Sequence, residues 1–66
     1  MSAAKIIEVM GASEKSFEDA TQEAIKRMSK TVRNITGAKV ISHNVKINDG
    51  KIKEYRVNLK VAFVVE

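Results

Sequence analysis

From Ile52 to Val65 the chain alternates between two kinds of residue almost without a break. Tyr55, Val57, Leu59, Val61, Phe63 and Val65 fall on one side, and Glu54, Arg56, Asn58, Lys60, Ala62 and Val64 on the other. A pleated strand repeats every two residues, so the run predicts one long strand with a fully apolar face and a largely polar one. The apolar face must be covered. With only 66 residues available, few elements remain to cover it.

Three glycines divide the rest of the chain. Ala4 to Met10 reads as a short strand rich in β-branched residues, ended by Gly11. Ser16 with Asp19 three positions later fits a variant of the capping box, and acids in the first turn complement the helix dipole. The apolar positions Phe17, Ala20, Ala24, Met28, Val32 and Ile35 then recur at close to 3.6 residues, predicting a five-turn helix with one buried stripe. Lys26, Arg27, Lys30 and Arg33 suit its C-terminal half. Gly37 reads as the helix stop. Ala38 to Ile47 is a less regular strand, with Ile41, His43, Val45 and Ile47 on one face. Asn48-Asp49-Gly50 is a tight-turn signal leading into the long strand.

These elements predict an α+β fold in the order β-α-β-β, a single domain over residues 1–66. The helix is long enough for a crossover, so the first two strands can lie parallel on either side of the third. Phe17, Ala24, Met28 and Val32 are expected to bury its apolar face. The opposite face, with Arg56, Asn58 and Lys60, has no cover in this chain and is left for subunit contacts or ligand.

A domain this small has little core to stabilise it, and nature usually adds disulfides, a metal or neighbouring subunits. Cysteine is absent and His43 is the only histidine, which excludes a disulfide framework and a thiolate or multi-histidine metal site. Oligomerisation remains. No apolar run reaches membrane-spanning length and no signal-peptide core is visible, so the expectation is a cytoplasmic protein with no membrane partner. The formal charge of +4 is spread along the chain among acids. Two phenylalanines and one tyrosine are too few for a base-stacking platform, so no nucleic-acid partner is expected.

Taken together, Gly11-Ala-Ser-Glu-Lys-Ser-Phe-Glu-Asp-Ala20, Ser29-Lys-Thr-Val-Arg-Asn34, Asp49-Gly50-Lys51, Glu54-Tyr55-Arg56-Val57 and Leu59-Lys-Val-Ala-Phe63 resemble the dodecin family across nearly the whole chain. The resemblance implies a β-α-β-β subunit whose three-stranded antiparallel sheet wraps one helix, assembled into a hollow homododecamer. It also implies a flavin-type ligand (FMN, riboflavin or FAD) held at subunit interfaces for storage or buffering. The family's flavin-binding members place a stacking tryptophan just after the helix and a ring-binding glutamine in the last strand. The matching positions here are Gly37 and Arg56. Glycine offers no stacking surface. A guanidinium only donates hydrogen bonds, whereas an amide both donates and accepts. Flavin binding is therefore expected to be weak, and Arg56 suits an anion better.

By the same resemblance Ser42 and Asn44 lie where polar ligand contacts fall. Arg56 has a second reading, as a solvent or interface arginine paired with Glu8 or Glu54 of a symmetry-related copy. His43 is expected to be packed or at an interface. Glu14, Glu18 and Asp19 serve the helix dipole in preference to a cation between subunits. No phosphate loop, metalloprotease motif or nucleophile elbow occurs, and Asn48-Asp49-Gly50 lacks the other ligand positions of a calcium loop. No nucleophile–base–orienter set can be assembled, so the chain is not expected to be an enzyme. The expected role is a dodecin-like ligand-binding or storage assembly; the alternative is a structural shell with no small-molecule ligand.

Overall fold

The hairpin sets the frame. The computed structural model describes residues 3–65, and in it Asn48 pairs with Lys51 across a two-residue turn. Asp49 (φ 55°) and Gly50 (φ 71°) both take positive φ, as an I′ hairpin turn requires; its twist matches that of the strands it joins. Strands β1 (Ala3–Ser13), β2 (Ile35–Asn48) and β3 (Lys51–Val65) form one sheet in the order β1-β3-β2. Each outer strand is antiparallel to β3, so β1 and β2 run parallel on its two sides as the sequence predicts.

Helix α1 spans Phe17–Met28. Ser16 caps it by accepting a hydrogen bond from the Asp19 backbone N–H at 2.9 Å, and Glu18 and Asp19 occupy the acidic first turn. The reciprocal half of the capping box is absent. The Asp19 carboxylate accepts instead from the Ser13 hydroxyl at 2.6 Å, which ties the helix start to the end of β1.

At its other end the helix is shorter than the five turns expected. Ser29 closes it, its hydroxyl donating to the Ile25 carbonyl at 2.8 Å, and the chain then turns through hydrogen bonds from the Thr31 and Val32 N–H groups to the Met28 carbonyl. The β-branched residues that follow favour extended backbone. Ile35 keeps its inward position by pairing with Phe63 as a strand residue. The reversal falls on Asn34 at φ 63°, a left-handed conformation that asparagine tolerates. Gly37 is therefore not the helix stop; it is an exposed residue of β2.

The core is Ala20, Ala24, Val57, Leu59 and Val61, with Val9, Phe17, Ile25, Met28 and Ile35 packed around it. Val32 lies beyond the helix and outside that cluster. Gly11 does not end β1, which continues to Ser13. A Cβ on Gly11 would collide with the Ala20 carbonyl and come within 2.8 Å of the Ala24 Cβ. Its lack of a side chain is what lets the helix lie on the strand.

The cover is short. Twelve helical residues span about 18 Å, whereas the fifteen of β3 run roughly 50 Å. The radius of gyration is 13.5 Å, against about 11 Å for a compact domain of this length. Beyond the helix, the hairpin end leaves Val45, Ile47 and Ile52 exposed, Ile47 and Ile52 by more than half. No helix among the described residues is long and apolar enough to cross a membrane.

Candidate functional site

Strand pairing assigns each residue to a face. Directly paired residues point to the same side of a sheet, so the partners of buried Val57, Leu59 and Val61 face the helix. Those partners are Gly11, Val9 and Ile7 on β1 and His43, Val40 and Ala38 on β2. The other face carries Glu54, Arg56, Asn58, Lys60 and Ala62. Opposite them stand Ala12, Met10, Glu8 and Ile6 on β1, and Lys46, Asn44, Ser42, Lys39 and Gly37 on β2. No element among the described residues covers this open face.

A β-bulge puts the four candidate residues there together. An unbroken period of two would separate Gly37 from Ser42 and Asn44, because 37 is odd and the others even. The register shifts between Val40 and Ser42, so Ile41 is extra in the ladder. Val40 rather than Ile41 then sits opposite Leu59, so Ile41 is left without a direct partner in the ladder. Gly37, Ser42, Asn44 and Arg56 consequently all belong to the open face.

They are not all neighbours. Arg56 lies directly across from Asn44, and Asn58 across from Ser42. The Asn44 amide donates to the Ser42 hydroxyl at 3.2 Å. Gly37 instead faces Ala62, six residues along β3 from Arg56, about 20 Å at strand spacing. A site using both would draw them from different copies of the chain. A Cβ on Gly37 would meet nothing within 4 Å.

Arg56 is half-buried, and its Nε donates to the Glu54 carboxylate at 2.7 Å. That partner belongs to its own chain, two residues back along β3. The bond pins the guanidinium plane and leaves its two terminal nitrogens for another acceptor.

The aromatic side chains lie on the helix side. Phe17 stacks on His43 with ring centroids 4.5 Å apart and meets Tyr55 edge-on at 5.1 Å. Phe63 pairs with inward-facing Ile35. His43 is therefore a packing residue here. With no ring among the described residues of the open face, that face does not fit a flavin held by stacking.

Two other places were candidates for a ligand. A groove of about 630 Å³ lies between β1 and the helix, where the Ser13 hydroxyl donates to Asp19 and Glu23 lies 3.9 Å from Arg27. None of the four candidate residues lines it. No group of three or more His, Cys, Asp or Glu side chains that could hold a metal occurs among the described residues.

Comparison with known proteins agrees with the architecture. The chain is 35% identical over 63 residues to the calcium dodecin of Mycobacterium tuberculosis, covering 96% of this chain and 89% of that protein. It is 37% identical over 62 residues to the dodecin of Thermus thermophilus, covering 94% and 90%. A mutant of the Thermus thermophilus dodecin superposes with a TM-score of 0.95 at 35% identity, covering all of this chain and 98% of that one. The dodecin family model matches residues 3–66. A three-stranded antiparallel sheet around a single helix, agreement over the whole length and this level of identity lead to one conclusion: the chain belongs to the dodecin family.

Proposed function

We propose that residues 1–66 form one subunit of a closed homo-oligomeric shell, twelve copies as the family resemblance implies, that acts as a non-catalytic small-ligand binding or storage protein in the cytoplasm. The observation that carries this reading is the mismatch between sheet and cover. An ~18 Å helix cannot shield a ~50 Å strand. Ile6 and Met10 on the open face are 63% and 61% exposed, and Ile47 and Ile52 lie bare at the hairpin end. Apolar surface left this way on both faces of a thin sheet supports burial against further copies.

In this reading the ligand face is the open one, with Arg56, Asn44 and Ser42 in one zone and Gly37 of another copy nearby. FMN, riboflavin and FAD bind weakly. Gly37 supplies no ring, and Arg56 cannot accept from a ring edge. Calcium belongs to the name of the Mycobacterium tuberculosis relative and is not part of the proposal.

Native mass spectrometry of protein purified without added cofactor tests the assembly, and riboflavin fluorescence tests the site. The expected result is a dodecamer that leaves riboflavin fluorescence largely unquenched at micromolar protein. A double variant, Gly37→Trp with Arg56→Gln, should quench it. A monomer at micromolar concentration, or strong quenching by the unaltered chain, would refute the corresponding half of the proposal. The internal Arg56–Glu54 pair favours one second reading, a shell with no small-molecule ligand. That reading predicts no ligand retained in the native spectrum and none bound by titration.

A further inference from the structure

We infer that the open face around Asn58 and Ser42 is a binding site for a small phosphate-class dianion, with a diphosphate as the best-fitting form. The inference rests on the reading that the open face is the ligand face; it does not depend on the shell closing.

Charge on the open face is unbalanced. Between Glu54 and Lys60 it carries four cations, Lys39, Lys46, Arg56 and Lys60, against two carboxylates, Glu8 and Glu54. The carboxylates sit to one side or are engaged. Glu8 pairs across from Lys60 on the β1 side, and Glu54 holds the Nε of Arg56 while facing Lys46. Lys39 has no carboxylate opposite it. Its direct cross-strand partner is Lys60, a like-charge juxtaposition that destabilises a sheet unless an anion lies between.

The geometry gathers donors around one row. Asn58 and Ser42 face each other and are both half-buried on a face with no cover. One row away, about 7 Å along the strands, stands Arg56, with its terminal nitrogens unused by the Glu54 bond. One row in the other direction stand Lys60 and Lys39. Ser42 accepts from Asn44, which leaves its own O–H as a donor, and the Asn58 amide adds two further donors. Cationic groups therefore flank a neutral donor row on both sides. A single carboxylate placed over Asn58 satisfies one flank only. A diphosphate presents one charged group to Arg56 and the other to the two lysines, and guanidinium forks match phosphate oxygens in geometry.

The test is isothermal titration of inorganic pyrophosphate into the full chain in low-salt chloride buffer, where screening is modest. Native mass spectrometry is run on the same sample. Expected are saturable binding and a loss of at least roughly tenfold in affinity for Arg56→Gln, as for removal of a charge-assisted bond. Lys60→Gln should weaken binding too, which keeps the test valid if Arg56→Gln fails to fold. Lys26→Gln, on the exposed face of the helix, should bind as the unaltered chain does. FMN should bind more tightly than riboflavin, because only FMN carries a phosphate. No saturation up to about 1 mM pyrophosphate, or an equal loss in Lys26→Gln, overturns the inference. Binding by a chain that proves monomeric sustains it while refuting the shell; an intact dodecamer that ignores pyrophosphate does the reverse.

Discussion

Strand β3 has two faces built from alternating residues, and they answer to different demands. Val57, Leu59 and Val61 are fully buried, 0% exposed each, while Arg56, Asn58 and Lys60 between them look away from the helix. The buried set is explained by the chain itself. Each residue finds its cover in Ala20, Ala24 and their neighbours, and any apolar side chain of the right size would serve. The open set finds no such account within one chain. Half-buried donors, two lysines directly opposed and large apolar side chains left bare on β1 make sense only against something else. The contrast separates residues that fold the subunit from residues that give it a partner.

Substitutions can break that contrast, and the largest effect belongs to the closed face. Leu59→Ala should cost about 2–5 kcal/mol through lost transfer energy and a cavity. Asn58→Ala, one residue away, should cost less than about 0.5 kcal/mol. Denaturant titrations at several protein concentrations would read both, since unfolding of an assembly depends on concentration. Similar losses at both sites would mean that the open face is as tightly packed in the assembly as the helix side.

The glycines sharpen the comparison. Gly11→Ala forces a methyl group against the Ala20 carbonyl and should destabilise by about 1–3 kcal/mol. Gly37→Ala enters open space and should be neutral or stabilise by up to about 0.5 kcal/mol, because it restricts the unfolded chain. Thermal melts of the pair decide the point. A large loss at Gly37 would instead reveal a neighbouring copy pressed against it. An intermediate effect is expected at the helix start, where Ser16→Ala should cost about 1 kcal/mol by removing the acceptor for the Asp19 N–H, measurable as a shift in the denaturation midpoint.

Much of the architecture was legible from residue spacing. The alternation in β3, the Asp49-Gly50 turn and the Ser16 cap are local signals, each set by backbone geometry within a few residues. They led directly to the strand, the hairpin and the start of the helix. The apolar stripe was only half readable. Ala20, Ala24 and Met28 lie where a helix would place them, but Val32 and Ile35 continue the same spacing into a turn and a strand. Periodicity alone cannot tell a helix from an inward-facing strand entry. Gly37 was misread for the same reason: glycine after a helical pattern usually stops it, yet Asn34 makes the turn here.

The candidate site shows where local reading ends. Residue type already marked Arg56 as a donor without an acceptor, and counting along β3 placed it opposite the buried face. That Gly37 shares its face with Ser42 and Asn44 could not be counted, because the extra residue at Ile41 inverts the parity. The opposition of Lys39 to Lys60 likewise depends on register. Sequence by itself determined the elements, since these follow from short-range periodicity, capping and turn chemistry. Tertiary structure alone decided which polar groups meet, because a bulge and a cross-strand register arise from long-range pairing that no local pattern encodes.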